Sequence, residues 1–164
     1  MDKKKVTAKG LTFETYLTSE EIAKQVNRVA QEIKNDCGDE APLFLCVLNG
    51  AFVFAADLFR ACDIAGSEMA FIRYKSYEGM STTGTVRQVL GLEEDITGRT
   101  VVVIEDIVDT GITAKALIAD LKAKNPKTVK FATLLFKPES LRTDAKPDYV
   151  GFEIPAKFIV GYGL

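Results

Sequence analysis

Along this chain, short runs that are apolar throughout alternate with longer stretches in which apolar residues recur at helical spacing. Leu43-Phe44-Leu45-Cys46-Val47-Leu48 follows Pro42 and is closed by the turn pair Asn49-Gly50. A continuous apolar run of that length reads as a strand buried on both faces, as in a parallel sheet. Val101-Val102-Val103-Ile104 has the same character, and 129–136 forms a third core strand. Strands are also expected over 67–77, 86–90, 147–154 and 158–160.

The helical stretches fall between them. Thr18 with Glu21 makes a capping box, and Ile22, Val26, Val29, Ala30 and Ile33 follow on one face until Gly38 stops the helix. The segment 51–62 carries Phe54, Leu58 and Cys62 on one stripe. The segment 113–124 places Ala116, Leu117, Ala119 and Leu121 among its apolar positions and ends at Asn125-Pro126. Strands alternating with helices predict an α/β fold, a mostly parallel sheet with helices on both faces. Ligands of such sheets bind beyond the carboxyl ends of the strands. The segment 78–85, Glu-Gly-Met-Ser-Thr-Thr-Gly-Thr, has few residues able to anchor a core and reads as a mobile excursion between two strands.

Composition narrows the chemistry. The 164 residues are 47% hydrophobic and 27% charged, which bounds the chain to one globular domain. A net charge of −2, from 21 basic and 23 acidic residues, gives no positive field for duplex nucleic acid. Lys3-Lys4-Lys5 reads as a solvated tail. The N-terminus lacks a signal-peptide core and no apolar stretch reaches membrane-spanning length. Cys37, Cys46 and Cys62 are odd in number and show no CxxC spacing, so a disulfide framework is not expected and a reducing cytoplasm is. There is no histidine. That excludes Ser-His-Asp and Cys-His triads and histidine-ligated zinc, and leaves acid–base work to carboxylates, lysines, tyrosines or cysteines.

The stretch 101–113, VVVIEDIVDTGIT, carries the chemistry. An apolar strand ends in two adjacent carboxylates, Glu105 and Asp106, and Asp109 follows just before Thr110-Gly111-Ile112-Thr113 and a helix. Gly111 permits close backbone approach, the threonines bring hydroxyl donors, and the first amides of the helix carry partial positive charge. That is a cradle for a phosphate. Carboxylates beside it can accept from sugar hydroxyls and hold magnesium directly or through water. The plainer alternative is an ordinary strand–turn–helix whose acids favour a helix N-terminus.

This stretch resembles the phosphoribosyl pyrophosphate motif of the type I phosphoribosyltransferases. Val47-Leu48-Asn49-Gly50-Ala51 resembles that family's pyrophosphate-contact loop, and Phe71-Ile72-Arg73 through Ser76-Tyr77 the start of its active-site loop. Leu134-Leu135-Phe136-Lys137 and Lys157-Phe158-Ile159-Val160-Gly161-Tyr162 resemble the purine-pocket segments of its hypoxanthine-guanine branch. The resemblance implies one phosphoribosyltransferase domain over 1–164, with a small hood formed from N- and C-terminal segments. It implies salvage of hypoxanthine or guanine with phosphoribosyl pyrophosphate and Mg2+, and a homo-oligomer, dimer or tetramer.

Position by position, the resemblance puts Glu105 and Asp106 at the donor's ribose hydroxyls with magnesium nearby. Asp109 exchanges a proton with purine N7. Thr110, Gly111 and Thr113, with the backbone of Val108 and Ile112, hold the 5′-phosphate. Lys137 donates to the 6-oxo group, Phe158 stacks on the base and the Ile159 backbone meets its edge. Leu48, Asn49 and Gly50 meet pyrophosphate, and Ser76 and Tyr77 close over the reaction. Some relatives have lysine at the Asn49 position. Relatives also continue past Gly161-Tyr162-Gly163-Leu164 with an aspartate and a tail that add base-reading and pyrophosphate contacts.

Other readings share parts of the pattern. Asp109-Thr110-Gly111 is also an aspartic-protease triplet, but those enzymes need two from paired lobes and this one joins a strand to a helix. A receiver-like domain would share the fold class without needing the threonine cradle. A donor-sensing regulator, or an enzyme that prefers xanthine, stays open at this level.

Overall fold

The computed structural model describes residues 3–77 and 85–164. A six-stranded sheet forms its centre, in the order β5-β4-β3-β6-β7-β8. The strands are β3 (Leu43–Leu48), β4 (Glu68–Tyr77), β5 (Thr85–Leu90), β6 (Thr100–Val108), β7 (Thr128–Phe136) and β8 (Tyr149–Glu153). All neighbours pair parallel except β5, which runs antiparallel to β4. A separate two-stranded hairpin, β1 (Lys5–Ala8) and β2 (Leu11–Glu14), precedes it.

Burial follows the sequence pattern. Successive side chains of β6 go to opposite faces. Val102 and Ile104 join a cluster with helices α1 (Ser19–Cys37) and α2 (Phe52–Cys62), while Val101 and Val103 join a second cluster with α3 (Ile112–Lys122). Two-sided coverage is why these strands read as apolar throughout. The α1 capping box is present: Glu21 N–H donates to Thr18 Oγ1 at 3.2 Å, and Thr18 N–H to Glu21 Oε2 at 2.7 Å. In α3 the buried stripe is Ala114, Leu117 and Leu121, whereas Ala119 is exposed.

The order of connection creates a switch point. From β3 the chain crosses by α2 to β4 on one side, and from β6 it crosses by α3 to β7 on the other. The two crossovers leave on opposite faces, so a crevice opens between the carboxyl ends of β3 and β6. Every candidate segment named from the sequence follows or ends a strand at this edge of the sheet.

Three expectations change. Strand β6 does not stop before the acids; it runs through Glu105 and Asp106 to Val108, because Ile107 and Val108 keep pairing with Leu135 and Phe136 of β7. Residues 158–160 form no strand, since β8 ends at Glu153 and a run of positive-φ positions begins at Gly161. The basic run stays exposed but leads into the β1–β2 hairpin: Lys5 opens β1 and pairs with Glu14, and Lys3 lies 3.6 Å from that same carboxylate. Its turn residues, Lys9 and Gly10, have φ of 49° and 76°, the left-handed pair that a two-residue hairpin needs. The excursion over 78–85 falls, apart from Thr85, outside the described residues, as do the side chains of Ser76 and Tyr77, whose backbone ends β4.

Candidate active site

Glu105 and Asp106 sit where the crevice opens. Glu105 is only 9% exposed in spite of its charge. Burial, then the neighbouring Asp106 charge and their shared hydrogen bond, raise its carboxyl well above the ordinary range. Asp106 is raised too, chiefly by burial, with its Oδ1 accepting from Ile107 N–H at 2.8 Å as a partial offset. Two crowded acids of this kind favour the protonated form more than separate carboxylates do.

The 48–50 loop at the end of β3 presses directly on this pair. A Cβ placed on Gly50 would lie 2.1 Å from Asp106 Oδ2, so only glycine admits the carboxylate there. The Leu48–Asn49 peptide is cis. Asn49 is exposed and Leu48 half-buried against the α1/α2 core.

At the end of β6 the chain turns through Asp109-Thr110-Gly111 into α3. Gly111 has φ of 79° and caps the helix without a side-chain hydrogen bond of its own. Thr110 Oγ1 accepts a long contact from Ile112 N–H at 3.4 Å. Thr113 is half-buried on the first turn. The turn is braced from behind: Arg142 N–H donates to Thr110 O at 2.9 Å, and Thr143 Oγ1 donates to Gly111 O at 3.2 Å. A Cβ on Gly111 would meet that Thr143 hydroxyl at 2.5 Å and Leu141 Cδ1 at 2.7 Å. The bracing segment 141–143 had no signal in the sequence, because it reaches the turn only through the fold.

Lys137 follows β7, and its N–H extends the sheet ladder to Val108 O at 2.9 Å. Its side chain is 11% exposed, and Nζ donates to Asp109 Oδ2 at 3.1 Å. A lysine so nearly buried is held by its partner, unlike the solvated lysine usual at a strand end. After β8, Ile154 N–H donates to Phe136 O at 2.8 Å, carrying the 155–160 segment past the end of β7. On it Phe158 is 79% exposed and belongs to no core, while Ile159 packs partly against the α1/α2 cluster.

The structure thus sets Gly50 against Asp106, whose carboxyl shares a hydrogen bond with Glu105, and joins Asp109 to Lys137 beside the Gly111 turn. Phe158 and Ile159 follow β8, the first exposed and the second packed partly against the α1/α2 cluster.

Residues 12–164 match the family model described as phosphoribosyl transferase domain. The chain belongs to the phosphoribosyltransferase family. It is 40% identical over 158 residues to the hypoxanthine-guanine phosphoribosyltransferase of Aquifex aeolicus, covering 95% of this chain and 88% of that one. It is 40% identical over 150 residues to that of Bacillus subtilis, covering 90% and 82%. Among solved structures, a hypoxanthine-guanine phosphoribosyltransferase from Bacillus anthracis superposes with a TM-score of 0.86 at 40% identity, over 92% of this chain and 87% of that one. A hypoxanthine phosphoribosyltransferase from Staphylococcus aureus gives 0.87 at 31% identity, over 92% and 82%.

A magnesium ion fits the donor set. Among the described residues no three Asp, Glu or Cys side chains converge as a metal cage. Two hard carboxylates at one edge match the way magnesium is held, by one or two carboxylates, water and the substrate's own phosphates. No helix among the described residues is long and apolar enough to cross a membrane.

Proposed function

We propose that the protein salvages 6-oxopurines, transferring the phosphoribosyl group of 5-phosphoribosyl 1-pyrophosphate to hypoxanthine or guanine. The products are IMP or GMP and pyrophosphate. The observation that carries the reading is the buried Lys137 held on Asp109 beside the Gly111 cradle. It sets a hydrogen-bond donor and a proton acceptor side by side, which matches the O6 and N7 edge of a 6-oxopurine.

The 5′-phosphate sits on the amides and hydroxyls of 110–113, including Thr110, Gly111, Ile112 and Thr113, with the Val108 backbone at the base of the turn. Glu105 and Asp106 accept from the ribose hydroxyls. Glu105 and Asp106 would hold Mg2+ through those hydroxyls and water, and the ion would neutralise charge on the leaving pyrophosphate. The Leu48, Asn49 and Gly50 loop faces that pyrophosphate.

The base enters with its proton on N7. Lys137 turns from Asp109 to the 6-oxo oxygen, Phe158 stacks on the ring and the Ile159 backbone meets its edge. As the N9 lone pair forms the bond to C1′, the bond from C1′ to pyrophosphate oxygen breaks and pyrophosphate leaves with the electron pair. Asp109 accepts the N7 proton, so the purine ring ends neutral. Ser76 and Tyr77 close over the reacting atoms and exclude the water that would hydrolyse the donor.

The β1–β2 hairpin and the 155–164 segment form a hood over a single domain, and the working molecule is a cytoplasmic homo-oligomer. The direct test is pyrophosphate release. The purified protein with donor and magnesium should release pyrophosphate only when hypoxanthine or guanine is added; release at the same rate without a base would contradict the assignment.

A further inference from the structure

Gly161, Tyr162 and Gly163 have φ of 104°, 54° and 94° in succession, and Leu164 N–H closes the turn on Gly161 O at 3.1 Å. The glycines enter that region freely, but Tyr162 does so at a cost and stays only because its surroundings hold it. Its ring packs against the α1/α2 core, and its hydroxyl donates to Asp57 Oδ2 on α2. The other carboxylate oxygen of Asp57 accepts from Arg60 Nη2 at 3.3 Å, which orients it.

The turn fixed in this way lies on the 48–50 loop. A Cβ on Gly163 would stand 2.8 Å from Gly50 O and 3.2 Å from Val53 Cγ2. A Cβ on Gly50 would stand 2.1 Å from Asp106 Oδ2. Gly163, Gly50 and Asp106 therefore stack in three layers with no space for a methyl group between them. Helix α2 starts at Phe52, directly after the loop, so Asp57 and the loop belong to one rigid piece.

We propose that Tyr162 and Asp57 are positioning residues: their hydrogen bond clamps the 161–164 turn onto Gly50 and holds the 48–50 loop against Asp106 in the geometry that takes magnesium pyrophosphate. The inference rests on the assignment of that loop to the pyrophosphate end of the donor. Loss of the clamp leaves Asp109 and Lys137 in place and loosens only the loop.

The test is calorimetric titration of magnesium pyrophosphate into the parent protein and the variants Tyr162→Phe, Asp57→Ala, Asp57→Asn and the Tyr162→Phe/Asp57→Ala double. Tyr162→Phe and Asp57→Ala should each weaken binding about tenfold, as one lost hydrogen bond to a charged group does. The double variant should be no weaker than either single, and Asp57→Asn, which keeps an acceptor, should stay within about twofold of the parent. In turnover, KM for the donor should rise with kcat unchanged. Parent-like affinity in Tyr162→Phe overturns the proposal, as does an equal loss of pyrophosphate affinity, kcat and melting temperature, which marks mere structural support. A parent that binds no magnesium pyrophosphate overturns it too. A parent that binds pyrophosphate but turns over no purine contradicts the substrate assignment and leaves the clamp to be judged by the titration.

Discussion

Lys137 Nζ lies 3.1 Å from Asp109 Oδ2, so the groups assigned to the purine's O6 and N7 edge hold each other when no base is bound. The pair bridges the ends of β6 and β7, which are adjacent in the sheet. A nearly buried ammonium left without its partner is costly, and the ion pair keeps Lys137 aimed at the crevice. On the proposed function, a purine that offers an oxygen at C6 and a proton at N7 would replace both halves of the pair. A 6-amino purine would offer Lys137 a second donor and could not.

Asp109→Asn keeps the shape of the turn and removes the proton acceptor. It should lower kcat by about 10²–10⁴-fold, the usual worth of a positioned general base, with donor affinity nearly unchanged. Comparable losses in kcat and in donor binding, measured by steady-state kinetics and titration, would remove Asp109 from the proton-transfer role.

Gly111→Ala forces a side chain into backbone at φ of 79° and drives its Cβ toward Thr143 Oγ1 and Leu141 Cδ1. Strain of that sort costs about 1–3 kcal/mol, and thermal unfolding should record it. Donor binding should weaken as well, because on the proposed function the displaced turn would carry the amides that hold the 5′-phosphate. A stable Gly111→Ala protein with parent-like donor affinity would show that the cradle is elsewhere.

Glu105 has a carboxyl raised by burial and by Asp106, so the folded protein binds a proton there that the unfolded chain has already released. Stability contributed by that proton is present below the ordinary carboxylate range of about pH 4 and is lost as pH rises toward the raised folded value. In metal-free buffer, Glu105→Gln should therefore raise the melting temperature at pH 8 more than at pH 4, while weakening donor binding. A Glu105→Gln protein less stable than the parent at pH 8 would contradict the crowding described for the pair.

Cys46 and Cys62 are buried, and burial pushes each thiol up to about 12. Thiolate being the reactive form, both should resist disulfide reagents at pH 8 in the native state and react on unfolding. Fast labelling of the native protein at these two positions would show an opening that the fold does not account for.

Much of this was legible in the sequence because the informative patterns are local. The apolar runs at 43–48 and 101–104, the Thr18–Glu21 cap and the 101–113 motif each state their geometry within a few residues. What stayed hidden is non-local. Thr143 braces Gly111 from 32 residues away, and Tyr162 reaches Asp57 across 105. No periodicity encodes such contacts; they exist only once α2, β6 and β7 are packed. The N-terminal hairpin was missed because Val6 and Leu11 stay exposed and give no amphipathic contrast. The 158–160 segment looked like a strand on β-propensity alone, yet Phe158 remains exposed and pairs with no neighbour in the sheet.

The most direct measurement is a competition in which the purified protein, donor and magnesium meet hypoxanthine, guanine, xanthine and adenine together, and the nucleotides formed are separated. The account predicts IMP or GMP in step with released pyrophosphate and no AMP. AMP as a main product, or no nucleotide from any base while magnesium and donor are bound, would contradict it.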